Sequence, residues 1–183
     1  SDAGDGNVYL FDFDDATGKV ANPTSLIQDV NAYGVEFSPD GTKAYATVSL
    51  SPGNSSLLQW DLEANDIPSS QTAINGVSSS RPTAMQVAPD GKIYKATFGS
   101  ILAVINNPNA QAANVDYTEN TNQGAIQLAA GTSSTFGLPP FNQSLFSSRI
   151  DIIDDVSGKI ITDIDICGNE TATLSYDDIS DAT

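Results

Sequence analysis

The chain has 183 residues, of which 39% are hydrophobic, and its 23 acidic and 7 basic residues give a formal net charge of −16. This length and composition are typical of one globular domain, or of one domain with part of a second. Phosphate binding draws on clustered Lys and Arg, so the charge argues against nucleic acid and anionic membranes as partners, and the chain lacks the long apolar run needed for membrane insertion.

The first predicted strand covers residues 9–14 and ends in an acidic turn. It follows a short polar stretch, residues 1–7, which has neither an initiator Met nor a signal peptide. We interpret that stretch as a cut through a longer, processed chain.

A β-hairpin is predicted twice, at an offset of fifty residues. Ser-Pro-Asp-Gly at residues 38–41 and Ala-Pro-Asp-Gly at residues 88–91 each separate two strand-like segments. In such a turn Pro fixes φ, Asp bonds back to the backbone, and Gly takes the positive φ of a tight reversal. The copies align without a gap over residues 38–47 and 88–97.

Alternation along the strands predicts which side chains share a face of the sheet. Tyr33, Val35 and Phe37 fall on one face of the strand before the first turn. Ala44, Ala46 and Val48 fall on one face of the strand after it.

A second repeated feature is an apolar strand that ends in an aromatic or aliphatic residue followed by Asp or Asn. It occurs at residues 9–14, 57–62 and 102–107. This end resembles that of the third strand in tryptophan-aspartate-type propeller blades, where the acidic residue caps the turn to the outer strand. We interpret the following aromatic residues as core between sheets rather than as a sugar-stacking platform: Phe11, Phe13, Tyr45 and Trp60.

Together these features predict an all-β fold of β-propeller blades. Four short strands recur in each unit of about fifty residues, which gives about three blades in residues 1–147. Propellers close with four to eight blades, so the ring is incomplete, and we expect the remaining blades from the same parent chain or from neighbouring subunits. A β-sandwich is the structural alternative, although it does not predict repeated turn sequences.

Four motifs in order resemble a known family, at residues 33–41, 87–94, 103–109 and 136–144. Over about residues 8–147 the chain is similar to the propeller region of large Bacteroidetes surface proteins, which are exported by type IX secretion and associated with gliding motility. The resemblance implies a secreted, cell-surface location. It also implies that immunoglobulin-like modules follow the last blade.

Two interpretations of residues 148–183 stay open. Residues 153–160 repeat residues 13–20 at an offset of 140, which predicts a further outer hairpin of a blade. Residues 167–174 instead resemble the first strand of an immunoglobulin-like β-sandwich module.

Calcium is the one cofactor that the sequence suggests, because carboxylates and turn carbonyls supply the hard oxygen ligands that it prefers. The candidate ligands form two sets: Asp12, Asp14 and Asp15, and Asp151, Asp154 and Asp155. Neither set follows the twelve-residue calcium-loop pattern. Turn capping is the alternative role for these carboxylates.

Histidine is absent from the sequence, which removes Ser-His-Asp and Cys-His nucleophiles and His-ligated zinc. We therefore predict a non-catalytic extracellular module that binds a protein or glycan ligand in adhesion, or that serves structural display in a larger bacterial surface protein. Two alternatives remain: a subunit of an extracellular filament whose ring is completed by neighbouring chains, and a fragment of a propeller hydrolase.

Overall fold

The computed structural model describes residues 6–51, 54–78, 81–138, 152–153 and 160–161, and the fold there is all-β. The strands in chain order are β1 (Val8–Asp14), β2 (Lys19–Ile27), β3 (Asn31–Phe37), β4 (Lys43–Ser51), β5 (Asn54–Asp61), β6 (Thr72–Ile74), β7 (Met85–Val87), β8 (Ile93–Ala96), β9 (Ile101–Ile105), β10 (Tyr117–Thr118), β11 (Ile126–Gln127), β12 (Ile152–Ile153) and β13 (Ile160–Ile161). Short 3₁₀ turns occur at Pro68–Ser70, Ala112–Asn114 and Thr121–Gln123. In these described ranges, no helix has the length and apolar character needed to cross a membrane.

The chain divides into two units, Ser1–Ser147 and Ser148–Thr183. In the first unit, β3–β4–β5–β6 and β7–β8–β9–β10 are two meanders in which each strand pairs with the next, and β11 also pairs with β9. β1 and β2 form a separate two-stranded sheet. Every pairing is antiparallel. The first unit thus contains two sheets of the same strand order and one shorter sheet.

The two predicted hairpins are confirmed. β3 pairs with β4 and β7 pairs with β8 across the two Pro-Asp-Gly turns. Gly41 and Gly91 have φ values of 73° and 75°, and each donates its N–H to the carbonyl three residues earlier at 2.9 Å. The Oδ1 atoms of Asp40 and Asp90 accept from the backbone N–H two residues later, at 3.0 and 3.1 Å. Each turn residue therefore has the role that its type predicts.

In the structure, the offset between paired residues of the two hairpins changes from 50 before the turn to 49 after it. Phe37 pairs with Ala44, whereas Val87 pairs with Ile93, so the first connection is one residue longer than the second. Residues of β8 therefore correspond to those 49 positions earlier in β4. The extra residue lies in the loop, where insertions leave the strand pairing intact.

Two apolar clusters lie on opposite faces of the β3–β6 sheet. The first cluster joins it to the β1–β2 sheet: Val8, Leu26, Val30, Ala46, Val48, Leu58 and Trp60. The second cluster joins it to the β7–β10 sheet: Tyr45, Leu57, Ile74, Met85, Ile93, Ile105 and Val115. Sequence neighbours such as Leu57 and Leu58 belong to different clusters because side chains alternate along a strand. The first unit therefore has three layers, with the β3–β6 sheet in the middle.

Buried polar contacts fix how the two meanders face each other. Thr47 Oγ1 donates to the carbonyl of Thr83 at 2.6 Å and accepts from the N–H of Gly34 at 3.0 Å. The Tyr45 hydroxyl donates to the carbonyl of Pro108 at 2.6 Å. A Cβ added to Gly34 would lie 2.4 Å from the Thr83 oxygen, so only glycine permits this approach.

In the second unit, the described residues form the hairpin β12–β13. Ile153 pairs with Ile160 there, as Phe13 pairs with Val20 in the β1–β2 hairpin. The two strand pairs therefore share one register around sequence segments that repeat at an offset of 140.

Candidate functional site

A groove of about 310 Å³ lies beside β1, over the part of the β3–β6 sheet that the β1–β2 sheet does not cover. Its lining is mostly apolar and aromatic and includes Tyr9, Leu10, Phe11, Val35, Phe37 and Trp60. We call this feature the β1 groove. It is open to solvent on the side of β3.

The β1 groove exists because β1 and β2 cover β4 and β5 but leave β3 bare. Ala46 and Val48 of β4 are fully buried in the first cluster, whereas Val35 and Phe37 of β3 are 64% and 52% exposed. Tyr33 was expected on the same face as these two residues. The register shifts between Ala32 and Val35, and the Tyr33 ring packs instead against Phe136, with ring centroids 5.4 Å apart.

The opposite face of β3 is closed. Glu36 Oε2 accepts the backbone N–H of Val87 at 2.9 Å, and Gly34 meets the carbonyl of Thr83 just before β7. The hairpin β7–β8 therefore covers β3 on the face of the second cluster, whereas β3 lies bare on the face of the first cluster.

In the ranges that the structure describes, the strand β1 is paired on one edge only. Among the described residues its partner is β2, whereas β5 pairs with both β4 and β6. Tyr45 and Trp60 are buried core residues, as predicted, but Phe11 and Phe13 on β1 are 47% and 66% exposed. The core interpretation is therefore wrong for these two residues, which belong to neither apolar cluster of the described part of the chain.

A lysine pairs with the end of the repeated strand in both meanders. Lys43 Nζ lies 3.2 Å from Asp61 Oδ1, and Lys92 Nζ donates to Asn106 Oδ1 at 2.8 Å. Asp14 is the counterpart of Asp61 in the first sheet. Among the described groups, the Asp14 carboxylate accepts hydrogen bonds from its own turn instead of from a lysine.

The Asp14 carboxylate is held in its turn by three donors. Oδ2 accepts from Thr17 Oγ1 at 2.6 Å, and Oδ1 accepts from the N–H groups of Ala16 and Thr17 at 3.0 and 3.2 Å. The Thr17 hydroxyl is the main reason that the pKa of Asp14 lies below its usual value. Asp14 is therefore ionised at neutral pH.

Trp60 has a buried donor with no partner. The side chain is fully buried, it lines the β1 groove, and its Nε1 has no hydrogen-bond acceptor among the described residues. A buried N–H without a partner is costly, and it is most often satisfied by a water or a ligand.

The first calcium candidates do not converge. Asp12 Oδ2 accepts from Asn22 Nδ2 at 2.8 Å, Asp14 caps its turn, and Asp15 is exposed. In the described part of the chain, no three acidic or thiol side chains form a group that could hold a metal. Asp151, Asp154 and Asp155, like residues 167–174, lie outside the described residues.

Sequence reasoning missed an aromatic and cationic cluster. The Arg81 guanidinium carbon lies 5.6 Å from the Phe98 ring centroid and 5.9 Å from that of Phe136, and the two rings meet edge to face at 4.3 Å. Phe98 has a φ of 62°, which is unusual for an aromatic residue. These residues are far apart in the sequence, so no local sequence pattern predicts the cluster.

Sequence reasoning also missed a buried lysine between the meanders. Lys95 is fully buried, and its Nζ donates to the carbonyl of Ala96 at 3.2 Å. Burial lowers the pKa of Lys95, although the Glu119 carboxylate opposes the shift. Glu119 in turn accepts hydrogen bonds from Tyr117 and Ser78.

No protein-family model and no curated protein matches the chain. Its function is therefore argued from the repeat, the sheets and the β1 groove.

Proposed function

We propose that the chain is a segment of a non-catalytic, extracellular β-propeller that binds a ligand or displays other domains on a bacterial surface. The observation that carries this proposal is a pair of consecutive four-stranded meanders with the same strand order. Each is built on the same Pro-Asp-Gly hairpin, and their first strands, β3 and β7, are in contact. Propeller blades have this order and place their first strands around a central axis.

The three-layer arrangement favours a propeller over a β-sandwich. A sandwich packs two sheets on one core, so each sheet has one covered face and one solvated face. Here the β3–β6 sheet has an apolar cluster on each face. A sheet between two neighbours is what a blade inside a ring requires.

The shorter sheets fit the same repeat. Phe13-Asp14 aligns with Trp60-Asp61 at the end of β5, so β1 and β2 correspond to the outer two strands of a blade. The shared register of β12–β13 and β1–β2 supports a further outer hairpin in the second unit.

The described carboxylates support a binding or structural role. Four aspartates have lowered pKa values because neighbouring polar groups donate hydrogen bonds to them: Asp14, Asp40, Asp61 and Asp66. Such groups stay ionised at neutral pH and are poor proton donors. Together with the absence of histidine, they offer little for general acid–base chemistry.

The extracellular location in this proposal rests on the family resemblance. It is tested by labelling intact cells that produce the protein with an amine reagent that does not cross membranes. We expect modification of the exposed Lys19. The buried Lys43 and Lys95 should react only after unfolding, which controls for native structure. Modification of Lys19 only after cell lysis would contradict surface display.

A further inference from the structure

We infer that the β1 groove binds a two-stranded β-hairpin of the same type as β3–β4 and β7–β8, with a lysine that pairs with Asp14. This inference rests on the proposed function, because it takes β1–β2 to be the outer half of a blade. The occupant is defined by its chemistry: two alternating apolar strands around a Pro-Asp-Gly turn, supplied by a polypeptide segment outside the described residues.

The first reason is that, among the described residues, the edge of β1 away from β2 has no partner strand. An unpaired strand edge presents a row of N–H and C=O groups that another strand can complete. The far edge of the same sheet is protected, because β2 contains Pro23, which has no N–H, and the left-handed Asn22 with a φ of 51°. The edge of β1 away from β2 is therefore the edge left open among the described residues.

The internal repeat identifies what fits there. By the repeat, β1 corresponds to β5 in the first meander and to β9 in the second. There the equivalent edge is paired with the second strand of a Pro-Asp-Gly hairpin, which is β4 for β5 and β8 for β9. The first strand of β7–β8 then lies against β3. A hairpin placed on β1 in the same way would cover Val35 and Phe37, which are the exposed apolar residues of β3.

Charge and hydrogen bonding agree with this occupant. The lysine after each turn, Lys43 or Lys92, reaches the residue that ends the next strand. The same lysine on the bound hairpin would reach Asp14. Its backbone carbonyls would also bring acceptors close to the unpaired Nε1 of Trp60, which lines the groove.

The test replaces residues 1–6 with a copy of residues 31–53, which is the β3–β4 hairpin with its connection to β5. Gly53-Asn54 aligns with Gly6-Asn7 at the offset of 47 that relates β5 to β1, so the added hairpin arrives at β1 with the natural spacing. There are two matched controls. The first carries a scrambled copy of the same segment. The second carries the ordered copy with Lys43→Glu in the added copy, while the native Lys43 is kept.

Amide hydrogen exchange should slow at least tenfold in Val8–Asp14, while the two meanders keep their protection. Trp60 is the single tryptophan, so the one indole N–H resonance should move downfield and exchange more slowly. The scrambled copy should produce neither change, and Lys43→Glu should weaken the protection of β1, because it places a like charge at Asp14.

Three results would overturn the inference alone. One is unchanged exchange of β1 while both meanders stay protected, which would leave the proposed propeller intact. Another is equal protection by the scrambled copy. The third is concentration-dependent protection of β1 in the unaltered chain, which would make a second copy the occupant. Loss of protection in both meanders would instead contradict the proposed architecture itself, and with it this inference.

Discussion

The two faces of the β3–β6 sheet are covered to different extents, although the same strands form both. On the face of the second cluster, β7 lies against β3, and buried Thr47 bonds both to Gly34 and to the carbonyl of Thr83. On the face of the first cluster, β1 and β2 cover β4 and β5, and Val35 of β3 stays 64% exposed. The difference indicates that a face is closed where a neighbouring hairpin lies against β3.

The largest effect is expected in the second cluster. Leu57 is fully buried there, so Leu57→Ala should lower the free energy of unfolding by about 2–5 kcal/mol, through lost burial and a cavity. The control Leu50→Ala, at a side chain that is 54% exposed, should change it by about 0.5 kcal/mol or less. Urea denaturation measures both. Equal effects would show that the second face is not sealed.

The close approach of β3 to the neighbouring meander gives the next prediction. A Cβ at Gly34 would lie 2.4 Å from the Thr83 oxygen and 3.0 Å from the Ala84 Cα, both backbone atoms. Gly34→Ala should therefore cost about 1–3 kcal/mol of unfolding free energy. The control is Gly137→Ala, where nothing lies within 4 Å. A neutral Gly34→Ala would mean that the two sheets are further apart than described.

Thr47→Val tests the polar contact at the same place. The substitution keeps the shape but removes the oxygen that accepts from Gly34 and donates to Thr83. Two buried backbone groups lose a partner, which should cost about 1–3 kcal/mol in thermal or urea unfolding. The exposed Thr135→Val serves as the control. Comparable stabilities of the two variants would argue that the contact does not exist.

Lys95→Met should give the smallest change, and one of opposite sign. Burial lowers the pKa of Lys95 below its usual 10.5, so the unfolded chain binds that proton more readily than the folded one. Stability linked to Lys95 therefore rises with pH below 10.5. We expect Lys95→Met to stabilise the fold by about 1 kcal/mol at pH 7.

The advantage of Lys95→Met should shrink as the pH rises toward 10.5, because the folded chain gives up the Lys95 proton before the unfolded chain does. Urea denaturation at pH 7 and pH 9.5 measures this trend. A variant that is less stable than the native chain at both values would show that Lys95 makes a favourable buried interaction.

The repeated turns could be predicted because their signal is local. Pro, Asp and Gly at fixed positions determine the hairpin around Gly41 and that around Gly91, and the structure has both. The equivalence of strand residues between the two hairpins was harder to predict from the sequence. The single extra residue between Phe37 and Ala44 shifts every later equivalence by one position, and turn sequences do not encode such insertions.

The β1 groove could not be predicted, because exposure depends on which strands lie opposite. Phe13 and Trp60 have the same sequence context, yet one is 66% exposed and the other fully buried. The difference arises because Trp60 packs in the first cluster against the β1–β2 sheet, whereas Phe13 belongs to neither apolar cluster of the described residues. Buried Lys95 was missed for a similar reason, since its burial comes from strands distant in sequence.

The central claim is that the two meanders are consecutive blades of one ring, and an experimentally determined structure tests it most directly. The measurement is the rotation that superposes the β3–β6 sheet on the β7–β10 sheet. Four to eight blades require about 45–90° around an axis on the side of β3 and β7. The account predicts a value in that range, with the same axis also relating β1–β2 to β5–β6. Aligned sheets at about 30° with no common axis, as in a sandwich, would contradict it.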